Sequence, residues 1–110
     1  MSADFADFLR RDVRLVLLRI LSELPGYAAN SSVLANLLDQ MGHRQTREAV
    51  KDDLRFLAGE NLVTLETAQS VLLATLTERG QEIVEGRLTV SGVARPKARA
   101  ATGLLDAPKI

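Results

Sequence analysis

Cysteine and tryptophan are absent from the 110-residue chain, and histidine occurs once. Without cysteine the chain forms no disulfide, no thiolate metal site and no cysteine nucleophile, and its composition gives no sign of secretion. The single histidine, His43, has neither a second histidine nor a carboxylate cluster near it in the sequence. We therefore predict no metal site and a reducing, cytoplasmic location.

Long hydrophobic runs are also missing. The most apolar stretch, residues 13–24, is interrupted by charged side chains, and it is shorter than the roughly 20 apolar residues that a membrane span needs. Asp4 and Asp7 stand where a signal peptide would have a basic region. We expect no membrane segment and a chain that stays inside the cell.

Recurrent catalytic patterns are a third absence. The chain has no glycine-rich phosphate loop, no nucleophile elbow and no metal-ligand spacing. Aromatic side chains are few, and Phe5 and Phe8 have the spacing of a helix core rather than of a base-stacking surface. We predict that the protein is not an enzyme and needs no cofactor.

Neither sign of charge is in excess, because 14 Lys and Arg balance 14 Asp and Glu. A domain that binds nucleic acid by charge alone has a pI above about 9. The distribution is uneven, however, with nine basic and thirteen acidic side chains in residues 1–86 and five against one in residues 87–110. The sequence predicts a domain over 1–86 and a basic C-terminal arm over 87–110.

Apolar residues three and four apart predict a first helix from Phe5 to Leu24, ended by Pro25. Its apolar stripe consists of Phe5, Phe8, Leu9, Val13, Val16, Leu17, Ile20, Leu21 and Leu24. Leu15 and Leu18 lie off this stripe and give the helix more apolar surface than one small core needs. They predict a homodimer contact.

Two further helices follow at short spacing. Asn30 or Ser31 can cap the second, which Gly42 ends. The third begins near Thr46 and is expected to stop at Gly59. The short turn between them makes the pair a helix-turn-helix candidate.

A hairpin and a closing helix complete the pattern. Residues 62–67 and 71–75 are rich in β-branched and apolar side chains, and only three residues separate them. Thr77 can cap a fourth helix that Gly86 ends. Beyond it periodicity is lost, so the arm is expected to be extended and to have little core of its own.

Three helices followed by a two-stranded wing resemble a winged helix-turn-helix, an α+β and mostly α fold. Residues 32–86 resemble the DNA-binding domains of the ArsR and MarR regulators, most specifically in the link 59–63 (Gly-Glu-Asn-Leu-Val) and in Leu-Thr-Glu-Arg-Gly at 76–80. Over nearly the whole chain, including 7–10 (Asp-Phe-Leu-Arg) and 92–96 (Gly-Val-Ala-Arg-Pro), the sequence resembles more closely a family of small proteins of Mu-like phages and prophages. The resemblance implies a fold more directly than an activity.

Two departures from the regulators limit what the resemblance implies. ArsR-type metal sensors use clusters of cysteine and histidine, which this chain lacks. Many winged-helix proteins carry Arg or Lys on the wing, whereas the turn here is Ala68-Gln69-Ser70. Metal sensing is not supported, and we expect weak wing contacts to DNA.

Basic side chains recur on one side of the third helix, away from Val50, when each residue turns the helix by about 100°. This side of a helix-turn-helix meets the major groove, where Arg grips guanine and Gln reads adenine. Duplex DNA binding is therefore predicted at Arg44, Gln45, Arg47, Lys51 and Arg55. The acids Glu48, Asp52 and Asp53 lie among these residues and are equally compatible with ordinary ion pairs on a solvated helix.

The arm carries Arg95, Lys97 and Arg99 between small residues. Such an arm can follow a phosphate backbone or a minor groove. It can also be a solubilising end, or bind a partner protein through residues 90–93.

Two functions thus stay open. The first is a phage-encoded transcriptional regulator that binds duplex DNA as a homodimer. The second is a protein–protein interaction module, a phage accessory factor with little or no DNA binding, which zero net charge and an uncharged wing favour.

Overall fold

The computed structural model describes residues 3–97, and within them it contains four α-helices and a three-stranded antiparallel sheet. The predicted class, α+β and mostly helical, is confirmed. The elements are α1 (Ala3–Glu23), β1 (Ala28–Asn30), α2 (Ser31–Gln40), α3 (Arg47–Gly59), β2 (Val63–Ala68), β3 (Val71–Leu76) and α4 (Glu78–Val84). A short 3-10 turn, Pro25–Tyr27, joins α1 to β1. Across residues 3–97, no helix combines the length and the apolarity needed to cross a bilayer.

The sheet has the order β1-β3-β2. The predicted hairpin of β2 and β3 is present, with Val63 opposite Leu76 and Ala68 opposite Val71. The sequence does not predict β1, because three residues are too few to show an alternating pattern. This order of elements is compatible with a winged-helix-like fold.

Side-chain caps confirm where the helices begin. Ser31, the other predicted cap of α2, is instead buried, and its Oγ accepts a hydrogen bond from the Leu72 amide at 3.1 Å. This bond ties the start of α2 to β3. The capping bonds run from the Val33 amide to Asn30 Oδ1 at 2.8 Å, from the Ala49 amide to Thr46 Oγ1 at 3.0 Å and from the Gly80 amide to Thr77 Oγ1 at 3.0 Å.

The helix ends are partly as predicted. Gly42 and Gly86 follow α2 and α4 with φ of +89° and +80°. The helix α3 ends at Gly59, as predicted, but the glycine does not supply the turn: Gly59 is still helical, and Asn61 takes the left-handed conformation with φ of +63°. Asparagine tolerates this conformation better than most residues, and the Leu62 amide then donates to the Leu57 carbonyl at 2.9 Å.

Leu15 and Leu18 are 4% and 0% exposed, so the predicted homodimer contact through them is wrong. The helix α1 packs against α2, α3 and β3 and also against α4. Leu15 and Leu18 are therefore buried by contacts within a single copy of the domain.

At the first turns of α1, residues that the sequence predicts to be buried are exposed. Phe5 and Phe8 are about half exposed, at 48% and 52%, and Leu9 is 43% exposed. The helical spacing that places these residues on the core stripe is correct, but α1 extends beyond the elements that would cover them. Their predicted place in the core is wrong.

Residues 87–94 of the arm return to the domain. Val90 and Val93 belong to the buried core, and the Ala94 amide donates to the Arg11 carbonyl at 3.1 Å. The predicted boundary at 86 is therefore wrong, because this part of the arm completes the core beside α1. Arg99 lies outside the described residues.

A buried carboxylate connects α1, α3 and the arm. Asp53 is 1% exposed, and its Oδ1 accepts from Arg10 Nε at 3.1 Å and from Arg14 Nε at 2.9 Å. The Arg14 guanidinium carbon lies 3.8 Å from the centroid of the Phe56 ring, and Arg14 Nη1 donates to the Gly92 carbonyl at 3.0 Å. We call these five residues the Asp53 cluster.

Asp53→Ala is expected to lower the free energy of unfolding by about 3 kcal/mol or more, because removing one partner of a buried pair leaves the other charge uncompensated. The matched control is Asp52→Ala, the neighbouring carboxylate, which is exposed and pairs with Arg55 on the same helix. That change should stay within about 0.5 kcal/mol. Urea denaturation measures both, and equal losses would contradict the role given to Asp53.

Gly80 marks a close approach between α4 and the start of β2. A Cβ at this position would overlap the Leu62 carbonyl oxygen and lie 2.6 Å from Leu76 Cδ1. The glycine of the Leu-Thr-Glu-Arg-Gly motif is thus required by packing, while Thr77 of the same motif caps the helix. By contrast, a Cβ at Gly59 would meet nothing within 4 Å.

Gly80→Ala is therefore expected to destabilise the protein by about 2 kcal/mol, the usual cost of overpacking. Gly59→Ala, also helical, should be neutral or stabilising by up to about 1 kcal/mol, since alanine favours the helix. Thermal unfolding of the two variants gives the comparison. A tolerated alanine at Gly80 would show that the contact relaxes freely.

Candidate nucleic-acid interface

The helices α2 and α3 are joined by the turn 41–46, and α3 packs into the core through Val50, Leu54 and Leu57. Its opposite side faces away from the core. We call that side the outer face of α3; it consists of Arg47, Glu48, Lys51, Asp52 and Arg55. Two helices joined by a short turn, as expected from the sequence, are thus present, and the second has a charged outer face.

Arg44 and Gln45 lie in the turn, because α3 begins only after its cap Thr46. They therefore do not continue the helical spacing of Arg47, Lys51 and Arg55. The structure nonetheless brings both residues next to Arg47, around a shallow depression of about 400 Å³. The residues that line this α3 depression are Ala35, Asn36, Asp39, Arg44, Gln45, Thr46 and Arg47.

Arg47 is the cation of this group that is free to meet a ligand. It is exposed, and within residues 3–97 its guanidinium has no ion pair or side-chain hydrogen bond. Arg44, 89% exposed, has its Nε 3.6 Å from Asp39 Oδ1. A single carboxylate therefore competes for the cations of the depression.

Lys51 has a different role from the other cations. Its side chain is 18% exposed, and its Nζ donates to the Ser70 carbonyl at 2.7 Å and lies 3.5 Å from Glu48 Oε2. Ser70 belongs to the turn between β2 and β3. Lys51 thus holds the tip of the hairpin beside α3, which the sequence alone does not show.

The remaining cation, Arg55, pairs with Asp52 at 3.2 Å on the surface of α3. Exposed pairs of this kind contribute only about 0 to 1 kcal/mol, so a phosphate can replace the carboxylate at little cost. Together the outer face and the depression carry four cations and three acids, a net charge of about +1. The cations are Arg44, Arg47, Lys51 and Arg55, and the acids are Asp39, Glu48 and Asp52.

Arg95 and Lys97 lie elsewhere. They line a groove of about 530 Å³ between the arm and the first half of α1, together with Phe8, Arg11 and Asp12. This groove shares no residue with the α3 depression. The structure therefore does not join the basic residues of the arm to those of α3.

Residues 3–97 contain no group of three His, Asp or Glu side chains arranged to hold a metal ion. His43 lies half-buried in the turn between α2 and α3, where its amide donates to the Leu38 carbonyl at 2.8 Å. Its backbone therefore helps to end α2.

Lys51→Met is expected to loosen the hairpin tip, because the Ser70 carbonyl loses a charged donor worth about 1 kcal/mol. Amides of residues 67–71 should then exchange faster with deuterated solvent, while those of β1 keep their protection. Arg55→Met, which removes a cation that pairs only within α3, is the control and should leave exchange at the tip unchanged.

These features define a small α+β domain in which a hairpin is held against α3 and the outer face of α3 carries nearly balanced charges. The chain is 44% identical over 94 residues to "Uncharacterized protein gp26" of Escherichia phage Mu, an alignment that covers 86% of this chain and 97% of that protein. It is also 38% identical over 76 residues to a protein of Haemophilus influenzae, covering 68% of this chain and 74% of that protein. The chain belongs to the family of phage Mu gp26.

The family of Mu-like phage proteins predicted from the sequence is thus confirmed. No protein-family model matches the chain, and no solved structure matches it. The likeness to ArsR and MarR regulators therefore stays a prediction from sequence pattern.

Proposed function

We propose that this protein is a winged helix-turn-helix transcriptional regulator of a phage or prophage, which binds duplex DNA as a homodimer. The observation that supports it best is the unpaired Arg47 in the first turn of α3, beside Arg44 and Gln45 in the preceding turn. In helix-turn-helix proteins the first residues of the second helix contact base edges in the major groove.

The chemistry of this group suits the edges of bases. Arginine can donate two hydrogen bonds to O6 and N7 of guanine, and glutamine can pair with N6 and N7 of adenine. Arg47 and Gln45 are the residues that we assign to these contacts. Arg44 and Arg55, which hold exposed carboxylates in the free protein, exchange them for phosphates.

The hairpin tip lies close to the proposed DNA contact but adds no charge to it. Lys51 fixes its tip next to α3, so the tip lies beside the groove that α3 enters. The tip residues Ala68, Gln69 and Ser70 carry no charge. With few phosphate contacts, each adding about 0.9 to the salt slope, affinity is modest and only moderately salt-dependent.

Duplex binding is tested with the full chain and a sequence selected from a pool of random duplexes, by fluorescence anisotropy between about 50 and 200 mM salt. Arg47→Ala is expected to weaken binding roughly tenfold or more, the effect of losing one specific contact. The control is Arg87→Ala, an exposed arginine that pairs with Glu85 after α4 and should leave affinity unchanged.

Selection that yields no duplex bound by the wild-type protein would overturn the proposal. Equal binding by the wild type and by Arg47→Ala would instead overturn the placement of the site. Thermal unfolding of each variant, measured in parallel, separates lost contacts from lost folding.

The second candidate is a protein–protein interaction module. It is supported by the balance of charges on the outer face of α3 and by the uncharged hairpin tip, which together attract phosphate weakly. A module of this kind shows no salt-dependent duplex binding. It also retains a stoichiometric protein partner when purified from cells that produce the phage.

A further inference from the structure

A second concave surface lies between the last turns of α1 and the helix α2. It is an apolar groove of about 390 Å³, which we call the α1–α2 groove, lined by Val16, Arg19, Ile20, Glu23, Leu24, Leu37 and Met41. Met41 is 56% exposed, and Val33, two turns before it on α2, is 42% exposed. The row Val33, Leu37, Met41 thus extends the apolar surface along α2.

Two opposite charges lie in this groove. Arg19 and Glu23 are one turn apart on α1 and are the charged residues in its lining. Within residues 3–97 neither side chain forms an ion pair, although their spacing is that of a helix-surface pair. Both charges are therefore available at the edge of an apolar surface.

We propose that a second copy of this chain occupies the α1–α2 groove, with the two α1 helices antiparallel across a two-fold axis. Two-fold contacts bring the same patch of both copies together, so the patch must complement itself. When the axis passes level with residue 21, Arg19 of each copy lies level with Glu23 of the other. Ile20 then lies next to Ile20 and Leu24 of the second copy.

The charge pattern favours a second copy over an unrelated partner. One cation and one anion on the same side of a helix pair reciprocally under a two-fold axis, and both salt bridges border an apolar centre. A strongly acidic partner would place a like charge against Glu23, and a strongly basic partner would place one against Arg19.

This contact takes the place of the one predicted at Leu15 and Leu18, which are buried. The groove shares no residue with the α3 depression, so both surfaces can be occupied at once. The proposal rests on the dimeric arrangement of the proposed regulator, but its test contains no DNA, so failure of one does not imply failure of the other.

The oligomeric state of the full chain is measured by sedimentation equilibrium over a wide range of protein concentration. The wild type is expected to dimerise, and Met41→Glu to raise the dimer Kd by about a hundredfold, because the symmetry places two unpaired carboxylates in an apolar contact. Leu9→Glu is the matched control. It replaces an exposed apolar residue outside the groove and should leave Kd unchanged.

A charge exchange between copies tests the register. Arg19→Glu and Glu23→Arg should each weaken the homodimer, whereas a mixture of the two variants should form heterodimers in preference to either homodimer. Pairing within one helix cannot produce this preference. Native mass spectrometry of the mixture measures it, and thermal unfolding at low concentration verifies that each variant folds.

A wild type that stays monomeric at every concentration would overturn the proposal. So would a dimer that Leu9→Glu disrupts and Met41→Glu does not, since the contact would then involve the first turns of α1. A random mixture of homodimers and heterodimers would overturn the antiparallel register.

Discussion

Asp53 receives both Arg10 and Arg14 at one carboxylate oxygen in a position that is 1% exposed. Neither arginine is adjacent to it in the sequence, so the contact exists only when α1 and α3 are packed together. Arg14 then extends the link through the Phe56 ring to the carbonyl of Gly92. Because a buried charge without its partner is costly, this cluster specifies how α3 is oriented, and with it the direction in which the outer face of α3 points.

The parts of the fold that could be predicted from the sequence are those with local signals. Thr46 and Thr77 mark helix starts because their caps bond amides three residues away. The missing parts depend on distant contacts: β1 exists because β3 pairs with it, and Val90 and Val93 are buried because α1 offers them a surface. The exposure of Phe8 could not be predicted for the same reason. A helical pattern shows which side of a helix is apolar, but not how far along the helix other elements pack against that side.

The sequence predicts which residues form the candidate site, but not what each of them contacts. Interleaved acids are visible in the sequence, whereas the structure is needed to show that Arg44, Lys51 and Arg55 each pair with a carboxylate and that Arg47 forms no ion pair within residues 3–97. The contact of Lys51 with the hairpin joins residues 19 positions apart, and no local pattern encodes it. Membership of the phage Mu gp26 family shows what the chain is related to. The roles of these residues are inferred from their geometry alone.

Two neighbouring carboxylates on α3 differ in how well they should tolerate substitution. Asp52 projects from the surface, while Asp53 is buried in the cluster that joins three parts of the molecule. Substitutions at the exposed residues Arg47, Asp52 and Arg55 can therefore change the charge of the outer face while the buried contacts of α3 stay intact. Under the proposed function, a phage lineage would acquire a new target by point mutations on one side of a single helix, provided that the buried Asp53 is kept.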